Sequence, residues 1–547
     1  APLPAEPQPS LAELIAEQDR RAPTAPALEW GELVLDRATL AGRVSRIRDA
    51  LIATAGDSPV VAVTGSPSAG TVAAVLAVLS GGGVLLTLDP QLPRLRRQAM
   101  LTRAGADRLV VVGDVPQQVV TDSLTVVRVS PDAAEVAVEP ATAPDPGRTV
   151  PELVRDPAAG YVFFTSGTTG TPKAVVGRRD GLVHFLRWQR GTYGVGPDDR
   201  CAQVTGLSFD VVLRDLLLAP VSGATLVVPA DAEAAAPARF AGWLGERRVT
   251  VLHAVPTLLE AWLAETPPGT PAPRLRLTFA AGEPLTAATA TRWREAAGGR
   301  VVNLYGPTET TLAKLAYDVP DRPAPGVQPV GRPLPGTQAL LHTRAGVACG
   351  IGEVGEIVLR TPYRSLGYAG QDGPGFEPNP ATGDADDLLY RTGDLGRLRP
   401  DGSLDILGRA DRQVKIRGVR VEPDEVAATA ARHPAVTRAV VAAVPDAAGR
   451  PLLAAWLVAP TGTSGTPSQV RSFLGKRLPA AAVPSVITVV EDIPRTANGK
   501  TDWAALPAAV AATAAPEHVE PRTELERTVA GVFATLLRRD RVGVHDG

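Results

Sequence analysis

Short aliphatic runs alternate with helix-length segments through the first half of this chain, and that alternation constrains its fold more than any other feature. Residues 60–64, 84–88 and 109–112 are rich in Val and Leu and read as buried strands. Residues 69–79 and 94–104 lie between them and carry helical periodicity. A strand–helix–strand order of this kind buries its apolar faces as parallel α/β layers. Similar runs recur at 161–164, 226–228, 250–252 and 275–279. From residue 339 to 407 the texture changes to short strands between Gly, Pro and Asp turns, as in a mainly antiparallel or barrel-like unit. The expected fold class is therefore α/β: a large N-terminal core of α/β layers plus a small β-barrel-like unit, followed by a small α+β C-terminal domain. The expected boundaries are 1–410 for the core, 411–507 for the C-terminal subdomain and 508–521 for an Ala/Pro-rich linker. Residues 524–537 then read as an amphipathic helix with Leu525, Val529, Val532, Phe533 and Leu536 on its apolar face. A second Ala/Pro-rich stretch, 132–147, reads as a surface loop.

At 547 residues the chain can hold several domains, and 44 % apolar against 21 % charged residues is an ordinary globular balance. Its net charge of −2 gives no field that would draw in nucleic acid or an anionic membrane. Cys201 and Cys349 are its two cysteines, far apart and outside any CxxC, so neither a disulfide framework nor a thiolate zinc site is indicated. The N-terminus lacks the basic and apolar regions of a signal peptide. The most apolar stretch, 72–88, is broken by three consecutive glycines and reads as a helix followed by a strand. A cytoplasmic protein with no nucleic-acid and no membrane partner is the expectation.

The apolar run at 161–164 empties into Thr165-Ser166-Gly167-Thr168-Thr169-Gly170-Thr171-Pro172-Lys173. Small residues let backbone N–H groups approach an anion, hydroxyls add donors, and the lysine adds a full positive charge. That is phosphate-handling chemistry, although a flexible surface turn shares the composition. It is not a Walker A loop, because Pro172 stands where the second glycine belongs. The Gly-x-Ser-x-Gly elbow of a serine hydrolase is also missing.

Three further segments carry chemistry. They are Asn303-Leu304-Tyr305-Gly306-Pro307-Thr308-Glu309-Thr310-Thr311, then Tyr390-Arg391-Thr392-Gly393-Asp394-Leu395-Gly396 leading into 408–418, and finally Pro494-Arg495-Thr496-Ala497-Asn498-Gly499-Lys500. Each alone reads as a polar turn. In this order, with the Gly/Thr loop, they resemble the adenylate-forming superfamily, and within it the adenylation domains of nonribosomal peptide synthetases. The resemblance covers residues 10–507. Residues 522–547 resemble the truncated start of a peptidyl carrier domain, stopping before the serine that would bear phosphopantetheine.

The resemblance implies that an amino-acid carboxylate attacks the α-phosphate of ATP, releasing pyrophosphate, and that a carrier thiol then takes the acyl group. ATP and Mg²⁺ are the implied cofactors, with phosphopantetheine on the carrier partner. A small MbtH-like activator protein is a further candidate partner. Both substrates of the first step are anions, so repulsion must be suppressed and charge at phosphorus stabilised. By resemblance, Thr165, Ser166, Gly167, Thr168, Thr169, Gly170 and Lys173 hold the β/γ-phosphates. Glu309 matches a Mg²⁺ ligand, a role that suits a hard carboxylate oxygen. Tyr305 offers an aromatic face to adenine, Asn303 offers a hydrogen-bonding edge, and Thr308 joins them on the ATP side. Asp394 matches the residue that accepts both ribose hydroxyls. Arg409 matches a nucleotide contact, with a plain ion pair to Asp411 as its alternative. Lys500 matches the lysine that bridges the substrate carboxylate and ATP oxygens. Asp411 matches the hinge about which a mobile small domain rotates. Leu506-Pro507 resembles the motif that ties the carrier linker to that domain.

Asp210 matches the aspartate that binds a substrate α-ammonium, and it sits at the start of an expected helix. The remaining pocket positions are Val211, Arg214, His253, Phe279, Ala281, Leu304, Leu312 and Ala313, most of them apolar. Asp210 and Arg214 are four residues apart and would share a helix face. Arg214 either binds a second carboxylate on the substrate, with His253 assisting, or pairs with Asp210 or Asp215. The Arg/His/Phe set resembles α-aminoadipate reductases and points to an acidic substrate, whereas Leu304, Leu312 and Ala313 point to an aliphatic one. An acyl- or aryl-CoA ligase of the same superfamily is the alternative function. It would leave Asp210 without an ammonium partner.

Overall fold

A computed structural model describes residues 3–54, 56–114, 123–143, 147–165, 172–230, 236–267, 270, 273–370, 375–411, 413–446, 450–459, 467–494, 501–503, 505–509, 521 and 523–537. Everything below refers to these residues. They divide into two compact units, Ala1–Thr429 with Ser472–Val483, and Ala430–Arg471 with Pro484–Gly547.

The first unit is built on two large sheets. In the eight-stranded sheet the central strands Ala159–Thr165, Val84–Leu88, Val60–Gly65, Arg108–Val112 and Thr125–Val129 run parallel. Antiparallel strands flank them: Val136–Glu139 on one side, and Lys173–Arg178 then Gly367–Tyr368 on the other. The nine-stranded sheet has parallel strands Arg300–Tyr305, Leu277–Ala281, Val251–Ala254, Arg200–Ala202, Thr225–Val228 and Pro26–Trp30, again with antiparallel edges. Successive side chains of a strand face opposite ways, and the packing follows that period. Val61 and Val63 join one core cluster together with Leu226, Leu277 and Phe279 of the other sheet. Val60 and Ala62 face a second cluster on the opposite side. The helix Ala69–Ser80 contributes Val72, Ala73, Leu76 and Ala77 to the shared cluster. It is buried from Ala69 to Leu79, which explains why its sequence is apolar all round.

The 338–409 region forms a five-stranded antiparallel sheet, with Val354–Arg360 between Gln338–His342 and Leu388–Leu398, and Leu404–Arg409 also paired to Leu388–Leu398. Its core takes in Leu341, Ile357, Leu359 and Leu404 together with Tyr305 and Leu315.

The second unit holds a three-stranded sheet, Arg438–Pro445 antiparallel to Pro451–Val458, which runs parallel to Val486–Val490. Ala454, Trp456, Val486 and Leu506 are its buried core, and the Trp456 indole N–H donates to the Pro507 carbonyl at 3.0 Å. The helix Glu524–Leu537 opens on a capping box, Thr523 N–H to Glu526 and Glu526 N–H to Thr523 Oγ1. Of its expected apolar face Val529 is described, at 45 % exposure; the side chains of Leu525 and residues 532–537 lie outside the description.

Two local expectations are corrected. Residues 136–139, expected in a surface loop, form an edge strand against Thr125–Val129. All four are at least partly exposed, which gives the segment a loop-like composition. The helix expected from Asp210 starts at Val212. Asp210 lies in the turn before it, where its carbonyl accepts from Leu213 N–H, and from that turn Asp210 and Arg214 still act on each other's charge.

Candidate active site

The Gly/Thr loop is bracketed by adjacent strands. Ala159–Thr165 runs into it, Lys173–Arg178 runs out, and Thr165 pairs across to Lys173. Ser166, Gly167, Thr168, Thr169 and Gly170 themselves lie outside the described residues, as does Lys500. At the loop's base the Thr165 hydroxyl is buried without a described partner. The Lys173 ammonium stands 5.2 Å from the Tyr368 ring centre. The Tyr368 hydroxyl donates to Glu309 Oε1 at 2.7 Å.

Glu309 sits in the short helical turn Thr308–Thr310 and is 1 % exposed. The turn is followed by two consecutive positive-φ residues, Thr311 at φ 66° and Leu312 at φ 57°, a backbone uncommon for residues that bear side chains. Arg420 Nη1 lies 3.0 Å from each Glu309 oxygen. Burial alone would raise the Glu309 pKa, but Arg420 and Tyr368 outweigh it and hold the carboxyl below its usual range. A buried carboxylate held ionised offers the hard oxygen donor that suits a Mg²⁺ ion.

The nucleotide-side candidates meet at one cross-strand pair. Asp394 and Arg409 face each other on Leu388–Leu398 and Leu404–Arg409, and Arg409 Nη1 reaches Asp394 Oδ1 at 2.7 Å. Arg409 also grips Asp411 through two 2.7 Å bonds. The ion pair with Asp411 is thus present, and the same guanidinium reaches the candidate ribose-side carboxylate. The Tyr305 hydroxyl donates to Asp394 Oδ2 at 2.5 Å, so Asp394 is oriented from two sides. The Asn303 amide is engaged by the Pro329 carbonyl at 2.9 Å.

Four of the pocket candidates, His253, Phe279, Ala281 and Leu304, sit on three neighbouring strands. His253 pairs with Phe279, and Ala281, two residues on, pairs with Leu304. The His253 and Phe279 rings stack at 5.0 Å. Leu304, Leu312 and Ala313 are each at most 3 % exposed and pack in the main core cluster. Val211, at the start of the helix that carries Arg214, is partly exposed. Burial pushes the Asp210 pKa up, against Arg214 and a hydrogen bond from Thr308. Arg214 is 3 % exposed and feels both Asp215 and Asp210, yet its Nε has no described partner. Asp215 is engaged elsewhere: it accepts the N–H groups of Val204 (3.1 Å) and Thr205 (2.9 Å), and His253 Nδ1 lies 3.3 Å away. Gln189 reaches the other His253 nitrogen at 2.7 Å. Burial lowers the His253 pKa despite Asp215.

Sequence reasoning missed Arg420, Tyr368, Gln189 and Glu283. Glu283 accepts from Thr257 N–H at 2.9 Å and from the Gly418 N–H. Only Arg420 left a signal, as a lone cation two residues beyond the 408–418 segment.

Residues 15–369 match the family model for AMP-binding enzymes, and 425–500 match the model for the AMP-binding enzyme C-terminal domain. The chain is 35 % identical over 535 residues to Novobiocin biosynthesis protein H of Streptomyces niveus, covering 96 % of this chain and 87 % of that protein. It is 31 % identical over 544 residues to Tyrocidine synthase 3 of Brevibacillus parabrevis, covering 98 % of this chain but only 8 % of that protein. Among solved structures, it superposes with a TM-score of 0.76 on IdnL1, at 27 % identity, covering 89 % of this chain and 100 % of that one.

Proposed function

The chain belongs to the AMP-binding enzyme family, as an adenylation domain of nonribosomal-peptide-synthetase type, and we propose that it joins an amino acid to the AMP moiety of ATP and then loads a carrier thiol. The observation that carries the amino-acid reading is Asp210. Its carboxylate lies where burial disfavours its charge, and a substrate ammonium would restore that charge. An acyl- or aryl-CoA ligase would bring an acid with no ammonium to the same place.

In the first half-reaction the residues at 165–173 receive the β- and γ-phosphates and the leaving pyrophosphate. Asp394, held by Tyr305 and Arg409, accepts the ribose hydroxyls. Glu309 would hold Mg²⁺, which when bound neutralises charge on the phosphate oxygens. Lys500 would contact the carboxylate and phosphate oxygens as negative charge moves between them. In the second half-reaction the phosphopantetheine thiol of a carrier domain displaces AMP from the aminoacyl-adenylate.

The substrate side chain is acidic in this reading. The Arg214 Nε has no described hydrogen-bond partner although Asp215 and Asp210 act on the guanidinium, and a substrate carboxylate would satisfy that buried donor. An aliphatic side chain is the second reading, favoured by Leu304, Leu312 and Ala313. A panel of amino acids in ATP–pyrophosphate exchange separates them. Acidic amino acids should support exchange in wild type, and Arg214→Ala should lower their kcat/KM by about tenfold or more, the worth of one charged hydrogen bond. Acidic substrates that are inert with wild type would remove the carboxylate-binding role, and exchange confined to aliphatic ones would establish the second reading.

A further inference from the structure

Gln189 lies on the helix Arg179–Tyr193 and is fully buried. Its amide nitrogen is 2.7 Å from His253 Nε2, and its Oε1 is buried without a described partner. On the other side of the ring, Nδ1 lies 3.3 Å from Asp215 Oδ1. The Asp215 carboxylate already accepts the N–H groups of Val204 and Thr205. A carboxylate so held offers only lone pairs, so the ring proton belongs on Nδ1. Nε2 is then an acceptor, and the Gln189 amide is the donor it meets. Phe279 stacks on the face of the ring at 5.0 Å. Were the amide turned end for end, its oxygen would take an Nε2–H and the ring would be an imidazolium. Burial opposes that state most; Asp215 favours it and Arg214 opposes it, and the balance lies on the neutral side.

We propose that Gln189 is a positioning residue for substrate choice: it fixes His253 as the Nδ1–H tautomer, so that the positive charge facing the substrate side chain comes from Arg214 and not from His253. This rests on the reading of His253 and Arg214 as positions of the amino-acid pocket. Gln189 itself stands at none of the pocket positions to which the motifs point. With both ring nitrogens engaged, His253 has no donor left for a carboxylate. Arg214 keeps one, because its Nε has no described partner. A side chain ending in a single carboxylate is matched by that arrangement, and one ending in a cation is repelled. Without the Gln189 donor, Nε2 would be buried and unpaired, which is costly. The ring would then be free to take the other tautomer and to present a donor where the wild-type ring has none.

The ring is read directly near neutral pH in the full chain carrying ¹⁵N-labelled histidine, of which it has six, by long-range ¹H–¹⁵N correlation. His253→Gln identifies the signal. Wild type should show the Nδ1–H tautomer, and Gln189→Leu should lose that single form. In ATP–pyrophosphate exchange with the best amino-acid substrate, Gln189→Leu should raise the amino-acid KM about tenfold, the worth of one buried hydrogen bond, with kcat and the ATP KM changed less. Gln189→Glu keeps the shape and gives Nε2 an acceptor. Its ring should protonate, and its amino-acid kcat/KM should gain an ionisation between about pH 6 and 8 that wild type lacks; this variant carries the test if Gln189→Leu does not fold. An imidazolium in wild type overturns the positioning role, and so does a Gln189→Leu variant with unchanged tautomer and unchanged amino-acid KM; wild-type exchange would leave the adenylating function standing in both cases. Exchange confined to aliphatic amino acids overturns the charge role given to Arg214. A wild type that exchanges with no amino acid overturns the adenylating function, and the role of Gln189 in substrate choice with it.

Discussion

Lys314 is fully buried and its ammonium has no described hydrogen-bond partner. Burial pushes its pKa from 10.5 down to about 7, with Asp180 pulling only partly the other way. In the unfolded chain the amine stays protonated up to about pH 10. Between pH 7 and 10 the unfolded state therefore binds more protons than the folded state, and stability contributed at this site rises with pH. Below pH 7 the folded protein must bury a charge. Lys314→Met should stabilise the chain at pH 7 by about 2–4 kcal/mol in urea unfolding, with the gain shrinking by pH 9. A gain that is the same at both pH values would mean that the lysine costs stability through its shape and not its charge. Nothing in the residue pattern marked Lys314 as buried, since a lysine just after a turn is ordinarily solvated.

At the scale of elements, the strand pair that brackets the Gly/Thr loop depends on one missing side chain. A Cβ at Gly177 would lie 1.9 Å from Tyr161 Cζ, and Tyr161 is fully buried. Gly177→Ala should cost about 1–3 kcal/mol, as overpacking does, and Tyr161→Leu in the same chain should restore much of it. Thermal unfolding of the single and double variants measures this, and an unaffected single variant would show that the ring moves freely. The two strands themselves were only half legible. Tyr161-Val-Phe-Phe is apolar without a break because both of its faces are covered, so it stood out. The central strands at 60–64 and 84–88 were legible for the same reason. The strand Val136–Glu139 was not, because an exposed edge strand needs little apolar content. The Asp210 turn was also missed: a helix that starts two residues later leaves almost the same sequence pattern, and the difference lies in backbone hydrogen bonds that pattern does not encode.

At the scale of the whole molecule, the candidate site is assembled from segments hundreds of residues apart, and the sequence carried the parts better than their pairing. Glu309, Asp394 and Arg409 were readable as polar residues inside turn motifs. That Glu309 meets Arg420, or that Tyr305 donates to Asp394, depends on how distant strands register. The last test uses this separation of roles. Lys500 is proposed for the transition state of adenylation, so its loss should separate the two half-reactions. Lys500→Ala should lower ATP–pyrophosphate exchange by about two to three orders of magnitude, the usual loss for one transition-state contact. Transfer from a supplied aminoacyl-adenylate to a pantetheine thiol should fall much less. The two rates, measured separately on Lys500→Ala, decide the matter. If the variant lowered both rates in the same proportion, Lys500 would act on a step the half-reactions share, and its assignment to adenylation would fail.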